Sequence, residues 1–139
     1  MDQWVQIPSY STCFVCGDDN PIGLAMKFKG KDKSIESKFT LKPEYCGYKN
    51  IVHGGIISAI LDEGMGWTGW LTFKKYYLTL EIKIRLKTPV RPGVNYTLQT
   101  TMLKQKGRIF FAEGFLIDPN GVVVVEGKGK YFIVDEMPE

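Results

Sequence analysis

Between Ile51 and Trp67 the chain reads Ile-Val-His-Gly-Gly-Ile-Ile-Ser-Ala-Ile-Leu-Asp-Glu-Gly-Met-Gly-Trp. This stretch holds the only histidine, a glycine pair, and two adjacent carboxylates in an otherwise apolar run. An ionised carboxylate in a dry site is costly unless something pairs with it, so Asp62 and Glu63 call for partners or a task. A helix beginning near His53-Gly54-Gly55 would present N–H groups with no intrahelical partner at the positive end of its dipole. Glycines there let a ligand approach the backbone closely. Such an end binds an anion or polarises a carbonyl oxygen as an oxyanion hole. Asp62 follows Gly54 by eight residues, a little over two helical turns, and shares a stripe with Gly55, Ser58, Ala59, Met65, Gly66 and Gly69. Small residues along that stripe leave room for a substrate, a strand or another subunit. Glu63 faces the bulkier Ile56, Ile60, Trp67 and Trp70, and needs a partner more urgently if buried. His53, beside the glycines, is read as an organiser of the helix start rather than as a general base.

The elements that must position these residues follow from periodicity. Residues 54–71 are too long and too poor in β-branched residues for a strand, and read as a buried helix apolar nearly all round. Ile35, Ser37 and Phe39 alternate with Glu36, Lys38 and Thr40 in a short strand. Leu78, Leu80, Ile82, Ile84 and Leu86 alternate with Thr79, Glu81, Lys83, Arg85 and Lys87, which predicts one buried and one wet face, Thr79 on the wet one. Strands over 94–103, 108–117 and 122–134 follow, divided by Pro89, Pro92-Gly93, Lys106-Gly107 and Asp118-Pro-Asn-Gly121. Tight turns predict an antiparallel sheet of five or six strands, and one helix must cover its apolar face. The fold class is α+β: a curved antiparallel sheet wrapped around one long central helix.

With 139 residues, 44% of them hydrophobic and 24% charged, the chain reads as one globular domain over residues 1–139, with 1–24 a loop-rich lead-in. A net charge of +3 suits an anionic small molecule and is too small to argue for nucleic acid. Met1 to Pro8 lacks the basic and apolar regions of a leader, and no stretch reads as a membrane span. Three cysteines, an odd number, argue against a disulfide framework and for a reducing cytoplasm.

Cys13-Phe-Val-Cys-Gly-Asp-Asp-Asn-Pro-Ile-Gly-Leu24, followed by Gly47-Tyr-Lys-Asn-Ile-Val-His-Gly-Gly through Asp62-Glu63, resembles the hotdog-fold acyl-CoA thioesterases. The branch is similar to the phenylacetic-acid-pathway and 4-hydroxybenzoyl-CoA thioesterases, and the likeness runs on through Thr79 to Gly93. The resemblance implies hydrolysis of an acyl-CoA, with coenzyme A as part of the substrate and no resident cofactor. It implies a homodimer with active sites at the subunit interface, and leaves open whether dimers pair into a homotetramer. It implies that the Gly54 or Gly55 N–H polarises the thioester carbonyl. Asp62, nine positions after His53, would activate water or attack as nucleophile, and Thr79, supplied by the partner subunit, would help hold the water. Gly47 stands where many relatives carry Asn or Gln, and Asn50 is the nearest amide; Glu63 remains a second candidate carboxylate. A non-catalytic acyl-CoA-binding module is the alternative.

Lys83, Arg85, Lys87 and Arg91 form a basic stripe, and Arg108 sits at a neighbouring turn. Lys87, Arg91 and Arg108 are candidates for contact with coenzyme A phosphates, beside the plainer reading of a solvated face. Trp67, Trp70, Phe73, Tyr76 and Tyr77 line an acyl pocket or pack in the core. Cys13-x-x-Cys16 with Cys46 and His53 would make a Cys3His set, but six residues separate the second pair, and no strand-to-helix setting favours a redox pair. No metal is assigned, and the cysteines are read as part of a packed loop.

Overall fold

The computed structural model describes residues 3–137. Met1 and Asp2, which open the segment read as lacking a leader, and Pro138 and Glu139 lie outside the described residues. Elements run in the order β1 (Val5–Gln6), β2 (Lys29–Lys31), β3 (Ser34–Thr40), a 3-10 turn (Pro43–Tyr45), α1 (Gly54–Phe73), β4 (Tyr76–Leu86), β5 (Asn95–Lys106), β6 (Ile109–Ile117) and β7 (Val123–Val134).

Helix α1 starts where its sequence says it should. His53 is the N-cap, and its Nδ1 accepts the Gly55 N–H at 2.8 Å, satisfying one of the free donors of the first turn. The helix ends at Lys74, which adopts the left-handed conformation (φ 57°) and returns its N–H to the Trp70 carbonyl. Ile57, Ile60, Leu61, Met65, Trp67 and Leu71 are buried along it. Each such side chain contributes about 1.5–3 kcal/mol by leaving water. The glycines that weaken the helix in isolation are needed for the rings that close on it. A Cβ at Gly66 would sit 2.2 Å from the Tyr77 ring, and one at Gly69 would sit 2.6 Å from the Phe110 ring.

Every strand pairing is antiparallel, and the sheet order is β1-β2-β3-β5-β6-β7-β4. Seven strands replace the five or six expected, because the lead-in contributes β1 and the residues after it β2, both too short to show a period. The sheet wraps the helix, which contacts β2 through β7. The link over 87–94 is not a tight hairpin turn. It carries the chain away from β4, which among the described residues pairs only with β7, to β5, which pairs with β3 and β6. Strand β4 is therefore an edge.

Strand β4 also corrects the predicted faces. A bulge between Thr79 and Glu81 inserts Leu80 without a partner and shifts the pleat by one residue. Before the bulge Tyr77 and Thr79 lie opposite Ile133 and Tyr131; after it Ile82, Ile84 and Leu86 lie opposite Gly129, Gly127 and Val125. All five face the helix side, and Leu78 turns outward opposite Phe132. Thr79 is therefore on the inner face, not the wet one. Most apolar residues of β4 are nonetheless exposed, Leu80 to 50% and Leu86 to 53%, because the strand lies at the margin of what one helix covers.

Candidate active site

Helix α1 and strands β4 and β7 converge on Asp62. The Thr79 hydroxyl donates to Asp62 Oδ1 at 3.0 Å, and the Tyr131 hydroxyl donates to the same oxygen at 3.0 Å. Thr79 and Tyr131 are directly opposite in the β4–β7 ladder, so the register that builds the sheet also brings the two hydroxyls together. Thr79 thus reaches Asp62 of its own chain. Burial raises the Asp62 carboxyl above its usual range, and the two hydroxyl donors offset part of that rise. Burial and the facing Asp62 carboxylate push the Tyr131 phenol up, so it stays a proton donor.

Tyr131 escaped the sequence reading. Its signal was a tyrosine on a strand whose inward neighbours are Gly127 and Gly129. A fully buried phenol needs a hydrogen-bond partner, but the strand cannot reveal which one.

Glu63 points elsewhere, as its bulky neighbours predicted. It is 8% exposed, and the Trp67 indole N–H donates to its Oε2 at 2.6 Å. The Cys13 sulfur lies 3.5 Å from both of its carboxylate oxygens. Burial pushes its carboxyl up to about 7. Tyr10, Cys13, Glu63, Trp67, Tyr76, Tyr77 and Met137 line a pocket of about 330 Å³. Trp67, Tyr76 and Tyr77 are therefore pocket walls. Phe73 packs tilted on Phe110, and Trp70 lies under the Lys74 ammonium. Cys13 and Cys16, read as loop packing, lie against Glu63; Cys46 and His53 are not in that cluster, so no Cys3His set forms.

At the helix start, His53 already takes the Gly55 N–H, whereas the Gly54 N–H donates to no group among the described residues. Gly47, Tyr48, Ile51, Val52, His53 and Gly54 surround a cleft of about 350 Å³ there. Asn50 and Arg91 meet beside it: Arg91 Nη1 donates to the Asn50 carbonyl at 3.1 Å. Lys87 pairs weakly with Glu126 at 3.7 Å. Arg108 is not brought to this end. It donates to the Ile133 carbonyl at 2.8 Å and pairs with Asp135 at 2.9 Å, beside Lys75.

Among solved structures, one described as a thioesterase superfamily protein superposes with a TM-score of 0.78 at 25% identity, covering 84% of this chain and 61% of that one. The Escherichia coli PaaI protein of the phenylacetic acid degradation operon gives 0.74 at 13% identity, covering 82% and 83%. A Streptococcus mutans protein bound to acetyl CoA gives 0.70 at 12% identity, covering 77% and 86%. The last two show likeness of fold. An uncharacterised protein of Schizosaccharomyces pombe is 34% identical over 79 residues, 56% of this chain. The chain spans about half the length of that curated relative, 45% of it. The family model described as the thioesterase superfamily matches residues 49–125, which carry the helix, Asp62 and Thr79, and the chain belongs to that superfamily.

Proposed function

We propose that the chain hydrolyses an acyl-CoA thioester to the free acid and coenzyme A. The observation that carries this is the Asp62 carboxylate, half-buried on the central helix and held by the Thr79 and Tyr131 hydroxyls, in a chain whose helix start offers a free Gly54 N–H. In the proposed reaction Asp62 takes a proton from water as the water oxygen attacks the thioester carbon. The carbonyl oxygen becomes an oxyanion facing the Gly54 N–H. The intermediate collapses, the carbon–sulfur bond breaks, and the coenzyme A thiolate leaves and is protonated. Thr79 and Tyr131 orient the base. His53 positions the first turn through Gly55, and Glu63 plays no part in the proton transfer.

One dimension supports a dimer. Eight residues at 1.5 Å each put Gly54 about 12 Å along the axis from Asp62. A single thioester carbon cannot take its water from one and its oxyanion donor from the other within the same helix. The reading therefore pairs Asp62 of one chain with Gly54 of a second. The β4 edge, with unpaired backbone and exposed Leu78, Leu80 and Leu86, is the surface on which two copies would join.

Coenzyme A is supported as the carrier by the acetyl CoA bound to the Streptococcus mutans relative in fold. Arg91 and Asn50, joined to each other and with Asn50 next in the chain to Ile51 of the cleft lining, are the proposed phosphate and ribose contacts, with Lys87 nearby along the chain. Arg108, engaged with Asp135, is left out. The odd cysteine count supports the cytoplasm as the compartment, and among the described residues no helix is long and apolar enough to cross a membrane.

A second reading, an acyl-CoA-binding module without turnover, draws on one observation: both hydroxyls already converge on Asp62 Oδ1. A screen over short, medium, long and aromatic acyl-CoAs tests both. Turnover of one class, abolished by Asp62→Asn in a folded protein, supports hydrolysis. Tight binding with no turnover of any class overturns it in favour of the binding module.

A further inference from the structure

We propose that Cys13, Cys16 and Glu63 form a binding site for one thiophilic divalent cation, of which zinc is the best match. Their ligand atoms all lie within 4.8 Å of one another. The loop that carries the cysteines is shaped around sulfur. The Val15 and Cys16 N–H groups both point at Cys13 Sγ, at 3.4 and 3.5 Å. Gly17 N–H closes the turn on the Cys13 carbonyl at 2.9 Å. No side chain fits at Gly17, where a Cβ would lie 2.4 Å from the Ser11 carbonyl oxygen and 2.6 Å from the Cys13 nitrogen. A tight Cys-x-x-Cys-Gly turn with two amides aimed at the first sulfur is a geometry that holds a thiolate ready for a metal.

The distances agree with a tetrahedral centre. With zinc–sulfur at about 2.3 Å and zinc–oxygen at about 2.0 Å, a tetrahedral angle sets the sulfur-to-oxygen edge at about 3.5 Å. Cys13 Sγ is 3.5 Å from the Glu63 carboxylate oxygens. The Trp67 indole holds Glu63 Oε2 at 2.6 Å and leaves Oε1 for the cation, which is how an outer hydrogen bond orients a carboxylate ligand.

Charge makes the second case. Glu63 is buried, yet it enters no ion pair among the described residues. The pocket beside it is lined by no Lys, Arg or His. Two thiols and a carboxyl converge where the described residues supply no cation. A bound cation would displace the protons of this cluster. Cys13 and Glu63 both line the 330 Å³ pocket and Cys16 does not, so the fourth coordination position opens towards Tyr10, Trp67, Tyr76 and Tyr77. Such a site is open to a ligand rather than closed and purely structural. The inference stands apart from the hydrolysis reading, because metal binding is measured without turnover.

The test uses the full chain, reduced with a phosphine, stripped with a chelator and titrated with cobalt(II), then zinc. The expected result is thiolate-to-cobalt charge-transfer absorption that saturates at one equivalent and is bleached by zinc. Cys46→Ser retains the absorption, Cys13→Ser and Cys16→Ser lose it, and Glu63→Gln weakens affinity at least tenfold. Absence of the absorption in the reduced wild-type chain overturns the proposal whether or not the variants fold. Absorption that survives both Cys13→Ser and Cys16→Ser overturns it as well. Reduced protein that binds no metal and closes a Cys13–Cys16 disulfide in air would overturn it in favour of a redox pair.

Discussion

Asp62 and Glu63 are adjacent in sequence and meet opposite surroundings. One helical step of about 100° separates them. Asp62 turns to the edge of the sheet, where two hydroxyls from β4 and β7 donate to it. Glu63 turns inward to an indole and a thiol, in a pocket without a basic group. Tyr77 divides the two flanks. Its ring sits over Gly66, edge-on to Trp67 at 5.8 Å and to Tyr131 at 5.5 Å. Environment rather than residue type separates the two carboxylates, and the proposed roles follow from it, water for the exposed-side group and a cation for the enclosed one.

The sharpest way to break this division is by substitution of each acid. Asp62→Asn should lower kcat at least a hundredfold, the range for loss of a general base, with an unchanged thermal midpoint. Glu63→Gln should cost turnover less than a tenth as much. The reverse order would exchange the two roles. Next in size is a stability effect on the Glu63 flank. In metal-free protein the folded carboxyl titrates near 7, against an unfolded value of 4.5. The folded state therefore holds the proton longer, so the contribution of this group is fully present below about pH 4.5 and is lost as pH rises towards 7, while the lowered Cys13 thiol acts in the opposite direction. Glu63→Gln should remove this contribution, read as the difference between wild type and variant in urea titrations at pH 5 and 8.

The partition itself can be overfilled. Gly66→Ala puts a methyl group into the Tyr77 ring and should destabilise by about 1–3 kcal/mol, with both flanks affected in one variant. Smallest is the tuning of Asp62 by its donors. Tyr131→Phe or Thr79→Ala removes a hydrogen bond that favours the carboxylate, so the Asp62 pKa rises further. A base works when ionised. The acid limb of kcat/KM should therefore move to higher pH, and a downward move would remove Asp62 from the base role.

Much of this was legible in the residues. The His53-Gly54-Gly55 start, the length of α1, the β5–β6–β7 meander and the separation of Asp62 from Glu63 all follow from local periodicity and capping. Leu80 was not legible as a bulge, because strict alternation through Leu78 to Leu86 reads as one face whether or not a residue is inserted. Thr79 was assigned to the wet face for that reason. The Tyr131 contact with Asp62 spans 69 positions and the Cys13 contact with Glu63 spans 50, and the β4–β7 pairing joins strands far apart in the chain. No local pattern records such partners. Gly54 and Gly55 looked equivalent until the His53 ring was seen to occupy one of them.

The place of β4 in the chain bears on how the protein is made. Residues 76–86 leave the ribosome well before 123–134, their only strand partner among the described residues. For that interval an apolar strand waits with both backbone edges open, the condition under which nascent chains associate wrongly. Lys83 and Arg85, on the outer face opposite Lys128 and Glu126, and Lys87 just beyond the strand place charge along it. The basic stripe that invited a coenzyme A reading is thus placed where charge would keep an unfinished sheet soluble until its last strand arrives.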